Sequence, residues 1–393
     1  MLNCLVVTTL YPNKIQFRHG VFVENRLKRL NNQGLTATVI APVPWFPVKS
    51  RFFASYSKLV DIPAYELREG IEIYHPRYLV IPKIGMLFTP FFLAISIYRQ
   101  IKRLLAQGYT FDFIDAHYYY PDGVAAAMNA LVFKKPLSIT ARGTDINLIP
   151  NFNLPRKMII WASKVATYNL AVCEALRQKM LEIGVEENTT HVLRNGVDLQ
   201  VFTPLVREPL REKWQVSAKL LLSVGYLIER KGHHIIIEAM LELPDYLLFI
   251  VGDGEWSEKL KNLAEQLGVQ DRVRFIGEVG QPELTELYNI ADALVLASDR
   301  EGWANVLLEA MACGTPVVAT NIWGTPEVVQ APAAGLLCRE RTPAGLVEAI
   351  KQLFASYPDR AETRRYAETF SWDETTTGLL SLFAGISSNK PVR

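Results

Sequence analysis

The segment Asp299-Arg300-Glu301-Gly302-Trp303-Ala304-Asn305 leads directly into Val306-Leu307-Leu308-Glu309-Ala310-Met311, leaving two glutamates with seven residues between them across a loop-to-helix junction. Two carboxylates facing one crevice can act as acid and nucleophile, the arrangement that hydrolyses glycosides. A second group is Arg230-Lys231, inside Val224-Gly225-Tyr226-Leu227-Ile228-Glu229-Arg230-Lys231-Gly232-His233-His234. Adjacent cations ahead of a helix, with free backbone N–H groups behind them, make a site for a diphosphate. The nearby Val251-Gly252-Asp253-Gly254-Glu255 permits close backbone approach. It is not G-x-G-x-x-G, which disfavours a nicotinamide enzyme. Taken singly, these are a solvated loop glutamate, a helix glutamate and a surface Arg-Lys pair. Their shared position in the fold is what argues for function.

That position follows from the elements around them. Residues 293–297 and 316–319 read as short buried strands. Between them Asn305 is suited to cap a helix with an apolar face of Val306, Leu307, Ala310 and Met311, and Gly314 to end it. A strand, helix and strand of this length form a right-handed crossover between parallel neighbours. Glu301 then lies at the carboxyl end of a strand, where open α/β sheets bind ligands. The same pattern recurs along the chain. Strands are expected at 4–10, 36–41, 71–75, 113–117, 137–141, 167–172 and 191–193, with helices such as 20–32, 91–105 and 174–183. A second series follows at 220–225, 247–252, 273–277, 293–297 and 316–319, with helices starting at His233, Ser257, Pro282 and Asn305. Such alternation predicts two Rossmann-like domains with parallel sheets covered on both faces. Turn residues from Asn195 to Pro209 mark the boundary. The expected division is 1–203, 204–370, and a helix at 371–393 crossing back to the first domain.

A length of 393 residues, 49% hydrophobic and 21% charged, describes an ordered soluble protein and excludes disordered or fibrous classes. Cys4, Cys173, Cys313 and Cys338 have no metal-ligand spacing and no close pairing, which fits reduced thiols in a cytosol. The N-terminus reads as a strand instead of a signal peptide. The apolar run at residues 84–98 is uncharged over only 15 residues, short of the roughly 20 that span a bilayer. Charge is uneven: residues 1–203 hold 23 Lys and Arg against 14 Asp and Glu, and residues 204–393 hold 19 against 26. A basic half could attract nucleic acid or an anionic membrane. Without a zinc-finger pattern, RNP-like aromatics or a dense basic run, nucleic acid is the weaker choice. Leu87-Phe88-Thr89-Pro90-Phe91-Phe92-Leu93, followed by Arg99, Lys102 and Arg103, could rest on a membrane interface, or pack on the first sheet as core helices do.

Gly225 to Lys231, Gly252-Asp253-Gly254, and Glu301-Gly302 through Glu309-Ala310-Met311-Ala312-Cys313-Gly314-Thr315-Pro316 together closely resemble the donor half of retaining GT-B glycosyltransferases of family 4. The resemblance implies an α/β GT-B fold, two Rossmann-like domains facing across a cleft. It implies that Arg230 and Lys231 neutralise the diphosphate of a UDP- or GDP-sugar, that Glu301 binds the donor sugar and Glu309 the ribose. Gly20, Gly225, Gly252, Asp253, Gly302, Trp303, Ala304 and Asn305 would line the donor. In the first half, Phe17-Arg18-His19-Gly20 resembles the family's glycine loop, and His117 a histidine near the reacting carbon, though lone histidines are more often structural. Arg142-Gly143-Thr144-Asp145 stands where the family has His-Gly-x-Asp, so Arg142 departs from it. Asp145 would orient the acceptor or cap a turn, and His19 joins these two as an acceptor-side residue. Trp303-Ala304-Asn305 departs from the commoner Phe-Gly continuation.

Breaking a sugar–diphosphate bond creates an oxocarbenium-like centre and an anionic leaving group, and fixed positive charge at that group lowers the barrier. Arg230, Lys231 and a helix dipole supply it. No Asp-x-Asp occurs in the chain, so neither a metal nor another cofactor is expected. The resemblance moves Glu309 to the ribose, which weakens the hydrolase reading. It implies retention by attack on the same face, the leaving phosphate taking the acceptor's proton. The expected partners are a nucleotide sugar and a glycan or lipid-linked acceptor, with peripheral contact on the cytoplasmic membrane face. A nucleotide-sugar epimerase, which would release no nucleotide, and a noncatalytic sugar-nucleotide binder are the alternatives. A phosphorylase would need a pyridoxal lysine, for which no segment stands out.

Overall fold

The computed structural model describes residues 2–17, 19–45, 58–80 and 85–388, so Arg18 and Ile84 of the segments above lie outside the described residues. The chain divides into two compact units, Met1–Arg194 with Asp373–Arg393, and Asn195–Trp372.

The first unit contains β1 (Leu2–Val7), β2 (Leu35–Ile40), β3 (Val43–Trp45), β4 (Tyr65–Arg68), β5 (Ile71–Tyr74), β6 (Arg77–Leu79), β7 (Phe113–His117), β8 (Leu137–Ala141), β9 (Tyr168–Ala171) and β10 (Thr190–Val192). Eight of them form one sheet in the order β10-β9-β8-β7-β1-β2-β5-β4, and β3 pairs with β6 separately. Strands such as Leu5-Val6-Val7 and Val39-Ile40 are fully buried, because helices cover both faces and remove the need for alternation. β1 sits where the order reverses, with Val7 opposite Ile40 on one side and Ala116 on the other. That reversal opens a crevice beyond the carboxyl ends of β1 and β7. The expectation of a purely parallel sheet needs one correction: β4 runs antiparallel to β5 at the edge. Leu67 of β4 is 63% exposed, so β4 lacks the continuous apolar run that marks the inner strands.

The longer helices of this unit are α1 (Val21–Asn32), α2 (Gly85–Ala106), α3 (Val124–Phe133), α4 (Asn153–Val165) and α5 (Glu174–Ile183). α3 has a buried first turn of Val124, Ala125, Ala126 and Ala127, and its lack of a polar face hides its helical period in the sequence. From the far end of the chain, Leu379, Phe383 and Ile386 join the core of this unit, with the Phe383 ring 4.7 Å from that of Phe113. No helix of the described residues is long and apolar enough to cross a membrane. All four cysteines are free and buried.

The second unit contains β11 (Lys219–Val224), β12 (Tyr246–Val251), β13 (Val273–Gly277), β14 (Ala293–Leu296), β15 (Val317–Thr320) and β16 (Gly335–Cys338). All pairings are parallel, in the order β13-β12-β11-β14-β15-β16. The order reverses between β11 and β14, and the loops after these two strands carry Arg230-Lys231 and Glu301. Helices α6 (Arg207–Lys213), α7 (His233–Ala239), α8 (Ser257–Gln266), α9 (Gln281–Ile290), α10 (Asn305–Ala312), α11 (Pro343–Ala355) and α12 (Arg360–Glu368) surround the sheet. α13 (Trp372–Ser388) then leads out of this unit. The strand–helix–strand expectation matches β14, α10 and β15, with Val295 opposite Val318. Its cap differs. Ala304 occupies the N-cap, and Asn305 is the first helical residue. Trp303 and Ala304 are buried, and the Leu307 N–H donates to the Ala304 carbonyl at 3.0 Å, which starts the helix one residue earlier than a side-chain cap would.

Candidate active site

In the second unit three loops meet at the carboxyl edge of the sheet. The loops after β11 and β12 touch through backbone: the Gly225 N–H donates to the Val251 carbonyl at 3.0 Å and the Leu227 N–H to the Asp253 carbonyl at 3.0 Å. Gly252 is required there. Its φ is 136°, and a Cβ would lie 2.0 Å from the Gly225 carbonyl oxygen. Asp253, exposed, accepts from the Gly254 N–H of its own loop at 2.7 Å.

The loops after β11 and β14 are clasped more tightly. The Asp299 N–H donates to the Arg230 carbonyl at 2.8 Å, and Arg230 Nη1 donates to the Arg300 carbonyl at 3.1 Å. Lys231 Nζ donates to Glu301 Oε1 at 2.6 Å. The same oxygen accepts from Ser298 Oγ at 2.7 Å. Glu301 is 9% exposed. Burial alone would push its carboxyl up, and Lys231, Ser298 and Arg230 more than reverse this, so it is held below the usual glutamate range. Gly302, Trp303 and Ala304 are buried behind it, and Trp303 packs on Phe370 with rings 6.2 Å apart. One turn into α10, Glu309 Oε2 accepts from Tyr288 OH of α9 at 2.8 Å. Asn305 Oδ1 lies 3.4 Å from Asn195 Nδ2. The structure therefore gathers Arg230, Lys231, Glu301 and the glycine loops at one edge, with Glu309 on the helix leaving it. Lys231 and Glu301, expected to face a ligand separately, are paired to each other. Ser298 and Tyr288 fix the two glutamates and were missed: Ser298 stands directly before the Asp299–Gly302 segment but has no charge to mark it, and Tyr288 comes from a different helix.

The edge of the first unit is built differently. Gly20 has φ 74°, and a Cβ there would lie 2.2 Å from the Leu10 carbonyl oxygen, so the loop after β1 folds back on itself only with glycine. His19 Nε2 is 3.1 Å from the Thr9 carbonyl, and burial lowers its pKa. Beside this loop is a cavity of about 280 Å³ whose lining includes Asn13, Gln16, His19, His75 and Tyr78.

His117 and Asp145 stand apart from that opening. His117 is fully buried, with Nε2 3.4 Å from Asp115 Oδ2 and Nδ1 2.5 Å from Arg142 Nη2. Burial, with Arg142 adding to it, pushes its pKa down to about 3 despite Asp115, so the ring is neutral at pH 7. Of the two readings of His117, a histidine near the reacting carbon or a structural one, its surroundings match the structural: enclosure among Asp115, Arg142 and Arg26 leaves the ring no exposed surface. Asp145 is likewise enclosed. Its carboxylate accepts from the N–H groups of Tyr119 at 2.8 Å, Arg142 at 3.0 Å and Gly143 at 2.8 Å, so of the two roles expected for it, turn formation is the one its contacts fulfil. The Arg142 guanidinium lies over the Phe22 ring at 4.8 Å, and burial brings its pKa down to about 9. Below them the buried Arg26 donates to Thr140 Oγ1 at 3.1 Å and faces Asp115 at 3.5 Å. Sequence reasoning missed Arg26 and Asp115, which sit unmarked within a helix and a strand.

Known proteins place this geometry in a family. Residues 206–370 match the model for glycosyl transferases group 1, and residues 19–201 match that for glycosyltransferase family 4. A Bacillus subtilis (strain 168) glycosyltransferase named for teichuronic acid biosynthesis, TuaC, is 28% identical, over 89% of this chain and 88% of that one. A D-inositol 3-phosphate glycosyltransferase of Xylanimonas cellulosilytica is 29% identical over 72% and 74%. Among solved structures, sucrose-phosphate synthase from Thermosynechococcus elongatus superposes with a TM-score of 0.81 at 18% identity, covering 99% of each chain. Anabaena HepE in complex with UDP does so at 0.74 and 18% identity, covering 98% of this chain and 100% of that one. With matching models over both units and a shared architecture, the chain belongs to the GT-B glycosyltransferases of group 1.

Proposed function

We propose that this glycosyltransferase moves a sugar from a nucleoside-diphosphate sugar, with uridine or guanosine as the nucleoside, to a glycan or lipid-linked acceptor at the cytoplasmic face of a membrane. The second unit takes the donor and the first the acceptor. One observation carries the reading: Lys231 and Glu301 form a 2.6 Å pair where the strand order reverses, held between two loops that also present Arg230. A pair of this kind is a preset exchange. A diphosphate draws Lys231 and Arg230 toward its oxygens, and the carboxylate that Lys231 releases accepts hydrogen bonds from sugar hydroxyls. Glu309, steadied by Tyr288, takes the ribose hydroxyls. Gly225 and Gly252 let the donor come close to the backbone, and the Gly302-Trp303-Ala304-Asn305 turn lies beside it. Asp253 orders its own loop.

Transfer then proceeds with retention. The acceptor hydroxyl attacks from the face the leaving diphosphate vacates, a phosphate oxygen takes its proton, and Arg230 and Lys231 stabilise the departing charge without a metal. The cavity beside His19 receives acceptor hydroxyls. His117, Arg142 and Asp145, away from that cavity, act as positioning residues through the turn they brace. Support comes from the UDP bound in the HepE structure and from the two family models. The test is a thermal-stabilisation screen of nucleotide sugars on the wild-type protein and Glu301→Gln. Stabilisation by one base class in the wild type, reduced for the sugar nucleotide but retained for the bare diphosphate in the variant, is the expected result. Equal stabilisation of both proteins by the sugar nucleotide would remove Glu301 from the sugar.

A further inference from the structure

The outward face of α2 is apolar where a helix packed on a sheet should be polar. Its inner face, Leu93, Ile97, Ile101 and Leu104, is buried. Its outer face carries Phe88 at 47%, Phe91 at 43%, Ile95 at 49% and Tyr98 at 40% exposure. These positions are spaced by three and four residues, so they form one stripe. At the end of the stripe come Arg99, Lys102 and Arg103, all exposed. The face continues onto α3, tied to α2 by the stacked rings of Tyr98 and Phe133 at 5.5 Å, where Leu131 and Val132 are also exposed. The sequences of α2, α3 and α4 contain no acidic residue. Lys134 directly after α3, and Arg156, Lys157 and Lys164 of α4, add exposed cations to the layer.

We infer that this face is the docking surface for an anionic lipid bilayer, with the aromatic stripe of α2 immersed at the headgroup–acyl boundary and the cations against the headgroups. Charge selects this occupant over a second copy of the chain. A twofold contact would set Arg99, Lys102 and Arg103 against their own copies with no carboxylate on α2, α3 or α4 to offset them. The inference deepens the proposed function by naming the surface that holds the protein beside a lipid-linked acceptor, and it rests on that reading only for the purpose of the contact.

The experiment is flotation of the full-length protein with phosphatidylcholine vesicles, with and without about a third phosphatidylglycerol, at low and high salt. Binding to the anionic vesicles alone, weakened by salt, is expected. Each cation contributes roughly a fivefold gain in partitioning, so Arg99→Glu/Lys102→Glu/Arg103→Glu should lower it at least about a hundredfold. Phe88→Ser/Phe91→Ser/Ile95→Ser should weaken binding while leaving its salt dependence. Equal binding to neutral vesicles, no binding at low salt, or unchanged binding by both variants would overturn the inference. So would a dimer in light scattering that the serine variant dissolves, with no vesicle capture. Calorimetry with UDP and GDP on the same proteins separates the two claims: nucleotide binding without flotation sinks only the docking surface, and flotation without nucleotide binding sinks only the donor assignment.

Discussion

Replacing Lys231 by Met separates what the Lys231–Glu301 pair does for folding from what it does for a ligand. The pair is 2.6 Å long, and its side chains keep only 13% and 10% of their surface. Removing the cation leaves a carboxylate held by Ser298 alone at close range. Stranding one partner of a buried pair costs about 3–5 kcal/mol, and the residual exposure places this one near about 3 kcal/mol. Glu301→Gln added to Lys231→Met removes the stranded charge, and should recover all but about 1 kcal/mol. The pH dependence changes sign as well. In the wild type the Glu301 pKa is depressed, so its contribution is present above the unfolded value and lost as pH falls through the folded one. In Lys231→Met burial is no longer outweighed, the folded pKa rises above the unfolded one, and the variant gains stability on acidification. Nucleotide binding behaves otherwise. Loss of a charge-assisted bond to phosphate is worth about 1.5–3 kcal/mol, or about a ten- to hundredfold loss of affinity for a nucleoside diphosphate, and the double variant does not recover it. Urea unfolding near about pH 5 and about pH 8, with calorimetry of UDP and GDP, measures both. A double variant as unstable as the single one would refute the pairing argument. Normal nucleotide affinity in Lys231→Met would remove the lysine from the site.

Three further outcomes follow from the same geometry. Glu309→Ala should weaken a nucleoside diphosphate about tenfold while leaving inorganic pyrophosphate binding unchanged, since only the ribose is lost; calorimetry with both ligands decides it. Gly20→Ala forces a Cβ to within 2.2 Å of the Leu10 carbonyl at φ 74°, and should cost at least about 1–3 kcal/mol, read as a lower Tm. Asp122, buried with one oxygen accepting from Thr9 Oγ1 at 2.8 Å, has its pKa pushed up to about 8, mainly by burial. Its raised pKa means stability falls as pH rises from the unfolded value, about 4, toward 8, and Asp122→Asn should flatten that slope; an unchanged Tm profile over this range would show that Asp122 is ionised in the fold.

The donor half was the more legible because its information is local. Glu301, the start of α10 and Gly314 lie in one stretch whose strand, loop and helix signals agree, and Arg230-Lys231 lies directly after a strand. The first unit yields less. Arg26, Asp115, His117 and Arg142 come from one helix and two strand ends spread over the chain, and only the sheet order brings them into contact. Nothing near any of them in sequence announces a buried charge network. The histidine at a strand end was visible, but its enclosure was not, since Arg142 and Arg26, which close around it, come from a different strand end and a helix. β4, β3 and β6 were missed because they are edge or satellite strands of three or four residues with only one fully buried side chain, Val43, among them. The shift of the α10 cap from Asn305 to Ala304 reflects tertiary burial of Trp303 and Ala304, which overrides the capping preference of asparagine.

The most direct test of the central claim is release of nucleoside diphosphate from UDP- and GDP-sugars, followed with and without glycan or lipid-linked acceptors, by the wild-type protein and by Arg230→Ala. Acceptor-dependent release of the diphosphate from one donor class, reduced at least about a hundredfold in Arg230→Ala, is the predicted result. Turnover of a nucleotide sugar that releases no nucleoside diphosphate under any acceptor, or full-rate release by the variant, would contradict it.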